Sequence, residues 1–252
     1  MNQPKPASRG VLPAIGQFVV MIGIVLLTKT VAAEAYYVPS GSMQPTLLIG
    51  DELGVSKFPY GYSRYSLPVA VGPARPDRLF GHVPARGDVV VFRLPSDPSQ
   101  TYVKRVVGLP GDRLQMREGR LWINGKMLPL RPDGTGPLEM EDGRTVMAVR
   151  DIETLPGGRE HPIFKLAARG ELDDTATFEV TPGHVFVMGD NRDDSADSRL
   201  SPQEGGVGLV PVENLVGRVD VVLGSWDLGM VRDPIWTWPS GLRLSRFFSL
   251  VN

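Results

Sequence analysis

The stretch Val38-Pro39-Ser40-Gly41-Ser42-Met43-Gln44-Pro45-Thr46 decides how the rest of the chain is read. Two serines, a glycine and two prolines in so short a run favour a sharp, fixed turn. Pro39 biases Val38 towards an extended conformation, and Gly41 permits backbone angles that a side chain would forbid. A serine on a tight turn after an extended segment can present its hydroxyl clear of its own backbone. That is one way to display a nucleophile, and Ser42 is the candidate. The same composition also suits a plain linker between an apolar helix and a folded domain, so the decision rests on what flanks it.

Upstream, Val11 to Ala33 reads VLPAIGQFVVMIGIVLLTKTVAA, with no charged side chain from Gly10 to Thr28. That run is long enough for a membrane-spanning helix. Continued as a helix to Tyr37, it would be about 40 Å long at ~1.5 Å per residue. Lys5 and Arg9 precede it, whereas Glu34, Asp51 and Glu52 come before the next basic residue after Lys29, which is Lys57. The positive-inside rule then puts the N-terminus in the cytoplasm and the body of the chain outside. A cleaved secretory signal is the competing reading, because Ala33-Glu34-Ala35 is an A-x-A site behind a basic start. The apolar run exceeds the usual signal core of about 7–15 residues.

The chain has 252 residues and a formal net charge of −1, so nothing in it argues for a nucleic-acid partner. With no cysteine, disulfides, thiolate metal sites and cysteine nucleophiles are excluded. Arg86 to Arg93 reads as a turn followed by a buried strand, and Phe58 to Pro68 as an exposed ribbon or a loose loop. Residues 68–86 hold Pro68, Pro73, Pro76 and Pro84 and read as an irregular excursion.

Thr101 to Gly108, TYVKRVVG, is β-branched and aromatic and predicts a strand. Side chains alternate faces along a strand, so one of the adjacent Lys104 and Arg105 faces the interior or a cleft unless this is an edge strand. A desolvated lysine is shifted towards its neutral form, which is a usable general base. Residues 113–180 alternate short strands with Gly/Pro turns, including hairpin signals at Glu118-Gly119 and Asn124-Gly125. They read as a small β subdomain without chemistry of its own, with His161 in a loop. Gly189 to Arg199, GDNRDDSADSR, packs four aspartates among two arginines. A calcium loop is a poor fit, because Arg192 stands where a ligand belongs and no glycine closes the turn. The arginines favour a network of ionised, paired carboxylates. The aromatic and basic tail from Ile235 suits either lipid headgroups or simple packing.

A serine nucleophile needs a proton acceptor. His82, His161 and His184 stand in no recognisable context, and G-x-S-x-G, S-x-x-K and H-E-x-x-H are all missing from the sequence. Serine with a distant lysine remains.

Three boxes carry a family resemblance. Ser40-Gly-Ser-Met-Gln-Pro-Thr-Leu resembles the nucleophile box of bacterial signal peptidase I, Thr101 to Asp112 its lysine box, and Gly189 to Arg199 its third signature box. They occur in the family's order after an apolar segment, and Trp238 to Arg246 resembles the family's C-terminal end. The resemblance implies a mostly β fold: a catalytic domain of coiled antiparallel sheets (34–112 and 181–252) with an inserted β subdomain (113–180). It follows one transmembrane helix (11–33) and a cytoplasmic N-terminus (1–10). It implies that Ser42 attacks the scissile carbonyl and Lys104 takes its proton. Ser40 and the Ser42 N–H form the oxyanion hole, and Ser195 hydrogen-bonds the Lys104 amine. Asp197 and Arg199 brace the site as an ion pair. Val38, Pro39, Met43, Leu47, Tyr102 and Val103 line shallow pockets for small residues. No cofactor or metal is implied. The implied partners are signal peptides of exported preproteins, membrane lipid and a secretion translocon. The implied location is the bacterial inner membrane, with the catalytic domain on its outer face. A specialised peptidase maturing pilins, and a non-catalytic anchored β module, are the alternatives.

Overall fold

The computed structural model describes residues 15–18, 20–21, 33–66, 78–140, 142–227, 229 and 235–251. In chain order the strands are β1 (Ala33–Tyr37), β2 (Asp51–Ser56), β3 (Val89–Arg93), β4 (Thr101–Gly108), β5 (Arg113–Arg117), β6 (Arg120–Ile123), β7 (Lys126–Met127) and β8 (Leu130–Glu139). They continue with β9 (Thr145–Thr154), β10 (Glu160–Lys165), β11 (Phe178–Glu179), β12 (His184–Met188), β13 (Val210–Pro211), β14 (Leu215–Ser225) and β15 (Ser249–Leu250). Every strand pair is antiparallel. The mostly β, antiparallel fold expected from the sequence is therefore what the chain adopts.

The main sheet runs β1-β2-β14-β3-β4-β12-β13, with β15 added on β14. Its strands are rich in valine, which packs well on a pleated surface. Val89 and Val91 face one core with Val38, Met43, Leu47, Leu53 and Val55. Val90 and Phe92 face a second core with Val106, Val185, Val187 and Leu215. The sheet is thus covered on both sides, as its near-continuous apolar strands require.

Residues 113–180 form two further sheets, β10-β9-β8 and β11-β5-β6-β7. Their hairpins turn where the sequence predicted: Glu118-Gly119 and Asn124-Gly125 all have positive φ, the geometry of tight two-residue turns. The second of these sheets packs on the main one. Leu114, Met116 and Leu121 share a core with Val107, Phe186 and Met188 of the main sheet.

The expected membrane helix (11–33) lies almost wholly outside the described residues. Among those described, no helix is long and apolar enough to cross a membrane. A helix continuing to Tyr37 is ruled out, because Ala33–Tyr37 is a strand paired with Ser56 to Glu52. Phe58 to Ser66 forms two short 3-10 turns rather than a ribbon, and residues 67–77 of the proline-rich excursion lie outside the described residues. His161 lies in β10, not in a loop, and is buried.

The C-terminal segment packs. Arg246 grips Asp51 through both carboxylate oxygens and donates to the Thr46 carbonyl. Arg243 donates to the Ile49 carbonyl and to Glu139. These basic residues clamp the turn after Ser42 to the insert.

Arg105 is fully buried and paired with the equally buried Asp190. Removing one partner of a buried pair leaves the other charge uncompensated, at about 3–5 kcal/mol. Arg105→Ala is expected to lose stability on that scale, measured as the change in unfolding free energy in urea. A loss under about 1 kcal/mol would contradict the pairing.

Candidate active site

The chain leaves β1 at Tyr37, turns, and returns as β2. Val38 N–H donates to the Asp51 carbonyl and Gly50 N–H to the Val38 carbonyl, closing the mouth of this loop. Within it, Gln44 N–H donates to the Gly41 carbonyl and Leu47 N–H to the Met43 carbonyl. The Gln44 amide bonds both backbone groups of Glu139 at the end of β8. A side chain at position 41 would collide with that amide, which is why glycine stands there.

The loop after β12 holds the turn from the other side. Asn191 N–H donates to the Ser42 carbonyl and its side-chain amide to the Gly41 carbonyl. Ser42, half-buried, is thereby fixed with its Oγ 2.6 Å from Lys104 Nζ.

Lys104 and Arg105 point to opposite faces of β4, and both are buried, at 3% and 0% exposure. Their environments differ. Arg105 donates to both oxygens of Asp190 and to the Gly87 carbonyl. Lys104 forms no ion pair among the described residues. Burial lowers its pKa from 10.5 to about 8, with Asp197 and Asp190 pulling the other way and Arg199 assisting. The edge-strand alternative applies to half of β4. β3 pairs along Thr101 to Arg105, but β12 joins only from Arg105 onward. Residues 101–104 therefore border an open groove.

That groove is a cleft of about 580 Å³ that includes Ser40, Ser42 and Lys104 in its lining, with Tyr36, Leu53, Val91 and Val103 as an apolar wall. Pro39, Tyr102 and Val103 are in its lining. Val38, Met43 and Leu47 are not: all three are buried in the core beneath the sheet. Val38 precedes the turn and Met43 and Leu47 follow it, and the backbone directs all three inward, away from the groove. Ser40 Oγ lies 3.5 Å from Ser42 Oγ.

Asp197 and Arg199 form a buried, doubly hydrogen-bonded pair, and Asp197 also accepts from Gly189 N–H. Burial opposes ionisation of Asp197, but Arg199 and these N–H groups outweigh it and hold its pKa below the usual value. Ser195 differs from expectation. Its hydroxyl is buried with no hydrogen-bond partner among the described residues, and the Lys104 amine is engaged with Ser42 instead.

Sequence reasoning missed the network behind this pair. Asp190, held by Arg105, also accepts from the Thr46 hydroxyl at 2.5 Å. The His161 ring lies between Asp190 and Glu153, 3.3 Å from each, and Arg192 grips Glu153 through both oxygens. Burial opposes ionisation of both carboxylates, yet Arg105 and Arg192 hold them far below the ordinary range. The signal available in sequence was the arginine spacing in GDNRDDSADSR. The contribution of Glu153 and His161 had none, because their strands carry no motif.

The site thus holds a buried amine without a counter-ion among the described residues, 2.6 Å from a hydroxyl in the lining of an open groove. Residues 11–226 match the model of the family "Signal peptidase, peptidase S26". Signal peptidase I of Rickettsia typhi is 37% identical over 247 residues, covering 92% of this chain and 90% of that protein. The Rickettsia prowazekii enzyme is 35% identical over 258 residues, covering 96% and 94%. A solved signal peptidase I from Enterococcus faecalis V583 aligns with 26% identity and a TM-score of 0.32, over 55% of this chain and 97% of that one. The chain belongs to the signal peptidase family, peptidase S26, and is a serine peptidase that cleaves signal peptides.

Gly189 gives a test of how tightly the turn is held. A methyl there would collide with Ser195 Oγ and the Ser42 carbonyl oxygen. Misplacing a reacting group by about 1 Å can cost ~100-fold in rate. Gly189→Ala is expected to lose turnover on that scale while its circular dichroism spectrum stays that of the parent protein.

Proposed function

We propose that this chain is a membrane-anchored signal peptidase in which Ser42 is the nucleophile and neutral Lys104 its general base. The observation that carries the reading is the 2.6 Å contact between Ser42 Oγ and the amine of an unpaired, buried lysine. Lys104 takes the hydroxyl proton as Ser42 adds to the scissile carbonyl, then delivers it to the leaving amine. The Ser42 N–H and the Ser40 hydroxyl stabilise the developing oxyanion. Such donors are worth about 100-fold or more each. Ser195, with a buried and unpaired hydroxyl on the loop that braces Ser42, steadies the amine once Ser42 has released it. Asp197 and Arg199 keep that loop in shape.

The open edge of β4 suits an extended peptide, which would add as a strand through its backbone. Pro39 and Tyr102, with the apolar wall of Tyr36, Leu53, Val91 and Val103, suit small residues at the first and third positions before the cut, as in A-x-A. The preprotein is thus the partner, delivered at the outer face of the bacterial inner membrane by a secretion translocon.

Anchoring is supported by the uncharged run from Gly10 to Thr28 and by the use made of Ala33-Glu34-Ala35. These residues are part of β1. Glu34 pairs with the buried Lys57 and accepts from the Tyr36 hydroxyl. Burial and the Glu34 carboxylate both push the Tyr36 pKa up, so it stays a neutral donor. Cutting after Ala35 would strip most of β1 from the sheet. The purified full-length protein is therefore expected to keep residues 33–35. N-terminal sequencing that begins at Tyr36 would overturn retention of this segment.

The test of the reaction uses a preprotein with one A-x-A site in detergent micelles. Cleavage after that site is expected from the parent protein and not from Ser42→Ala. Lys104→Arg is expected to be inactive, since arginine does not deprotonate. Because Lys104 must be neutral, kcat/KM should fall about tenfold per pH unit below about 8. A profile flat from pH 6 to 9 would remove Lys104 from the mechanism. Cleavage of pilin precursors alone would favour the specialised peptidase.

A further inference from the structure

Four carboxylates stand in the loop Gly189 to Arg199, and three are spent on the fold. Asp190 holds Arg105 and Thr46, and Asp197 holds Arg199 and the Gly189 N–H. Asp193 accepts from the N–H groups of Leu166 and Ala167 and lies 3.5 Å from Lys165 Nζ. Asp194 does none of this. Among the described residues its carboxylate forms no ion pair and accepts no hydrogen bond. It is exposed, and it lines the catalytic cleft beside Ala196, Lys104 and Ser42 as the one acidic side chain of that lining.

This placement has a cost for the reaction. Burial lowers the Lys104 pKa, and Asp194 is among the carboxylates that raise it again. An acid at position 194 thus favours the protonated amine, which cannot serve as a base. A charge that braces nothing and opposes the general base is placed to meet charge brought in by the substrate. The rest of the cleft indicates where that charge sits. Tyr36, Leu53, Val91 and Val103 make the far wall largely apolar, suited to the small side chains before the cut. Asp194 lies on the loop that holds the Ser42 backbone through Asn191, a different element from the strands that supply that wall.

Resting on the peptidase reading above, we propose that Asp194 is a specificity-determining subsite. It favours substrates with an ammonium or guanidinium group among the first few residues after the scissile bond. The attraction is that of an exposed ion pair, so its effect on kcat/KM is about two- to fivefold and weakens as salt is raised.

The test takes the full-length protein in detergent micelles and peptides with one A-x-A site. A single lysine is walked from three residues before the cut to three after it, against a parent peptide with no charge in that window. With the parent protein, lysine after the cut is expected to raise kcat/KM two- to fivefold. Asp194→Asn should abolish that gain, and Asp194→Lys should turn it into a preference for glutamate at the same positions. On the uncharged peptide, Asp194→Asn should move the acid limb of the pH profile to lower pH, because Lys104 loses a carboxylate that stabilised its charged form. A lysine gain that survives in Asp194→Asn, a gain confined to positions before the cut, or no positional effect at all would each overturn the subsite. Those outcomes are distinct from failure of the parent protein to cut the uncharged peptide, which would sink the peptidase mechanism and the subsite with it.

Discussion

Burying an amine costs free energy unless a carboxylate comes with it, and the protein withholds the carboxylate from Lys104. Moving its pKa from 10.5 to about 8 corresponds to about 3 kcal/mol at 1.36 kcal/mol per unit. The surrounding sheet supplies that work. β4 is covered on both faces by packed valines, and among the described residues the amine hydrogen-bonds only the Ser42 hydroxyl, with the Tyr102 ring 5.5 Å away. Three elements meet here, the turn after β1, the first half of β4 and the loop after β12, and together they hold this contact in place.

The neighbouring residue shows why the arrangement is specific to lysine. Arg105 is at least as buried, but a guanidinium keeps its charge in proteins and must be matched. It is matched by Asp190, and from there close polar contacts continue through the His161 ring and Glu153 to Arg192. Two adjacent basic residues on one strand thus have opposite solutions to the same desolvation problem. One is neutralised by a counter-ion and braces the fold. The other is left without one and is driven towards its neutral form, the state the proposed mechanism needs.

The insert takes part in this arrangement. Glu139 at the end of β8 receives the Gln44 amide from the Ser42 turn and Arg243 from the tail. Phe164 in β10 exchanges backbone hydrogen bonds with Asp190 and Arg192. A region whose sequence holds no chemical motif therefore fixes the position of the loop and the turn that do.

The sequence alone determined the strand-rich fold, the two hairpin turns with positive φ, and the boxes that hold Ser42 and Lys104. These are legible because they depend on local chemistry: glycine and proline at turns, valine on strands, polar residues in loops. That the arginines of GDNRDDSADSR would pair with its carboxylates was legible in its composition, and the family resemblance implied the particular pair Asp197 and Arg199. What only the tertiary structure decided depends on which surfaces meet. Val38, Met43 and Leu47 neighbour the nucleophile in sequence, yet the turn sends them into the core. Tyr36, Leu53 and Val91, drawn from three strands, form the cleft wall instead. The Ser195 hydroxyl, expected on the Lys104 amine, has no hydrogen-bond partner among the described residues. Glu153 and His161 reach the site only because β9 and β10 fold back against the loop after β12. Burial and counter-ions are properties of the assembled sheets, and so no reading of neighbours along the chain could separate the charge on Lys104 from that on Arg105.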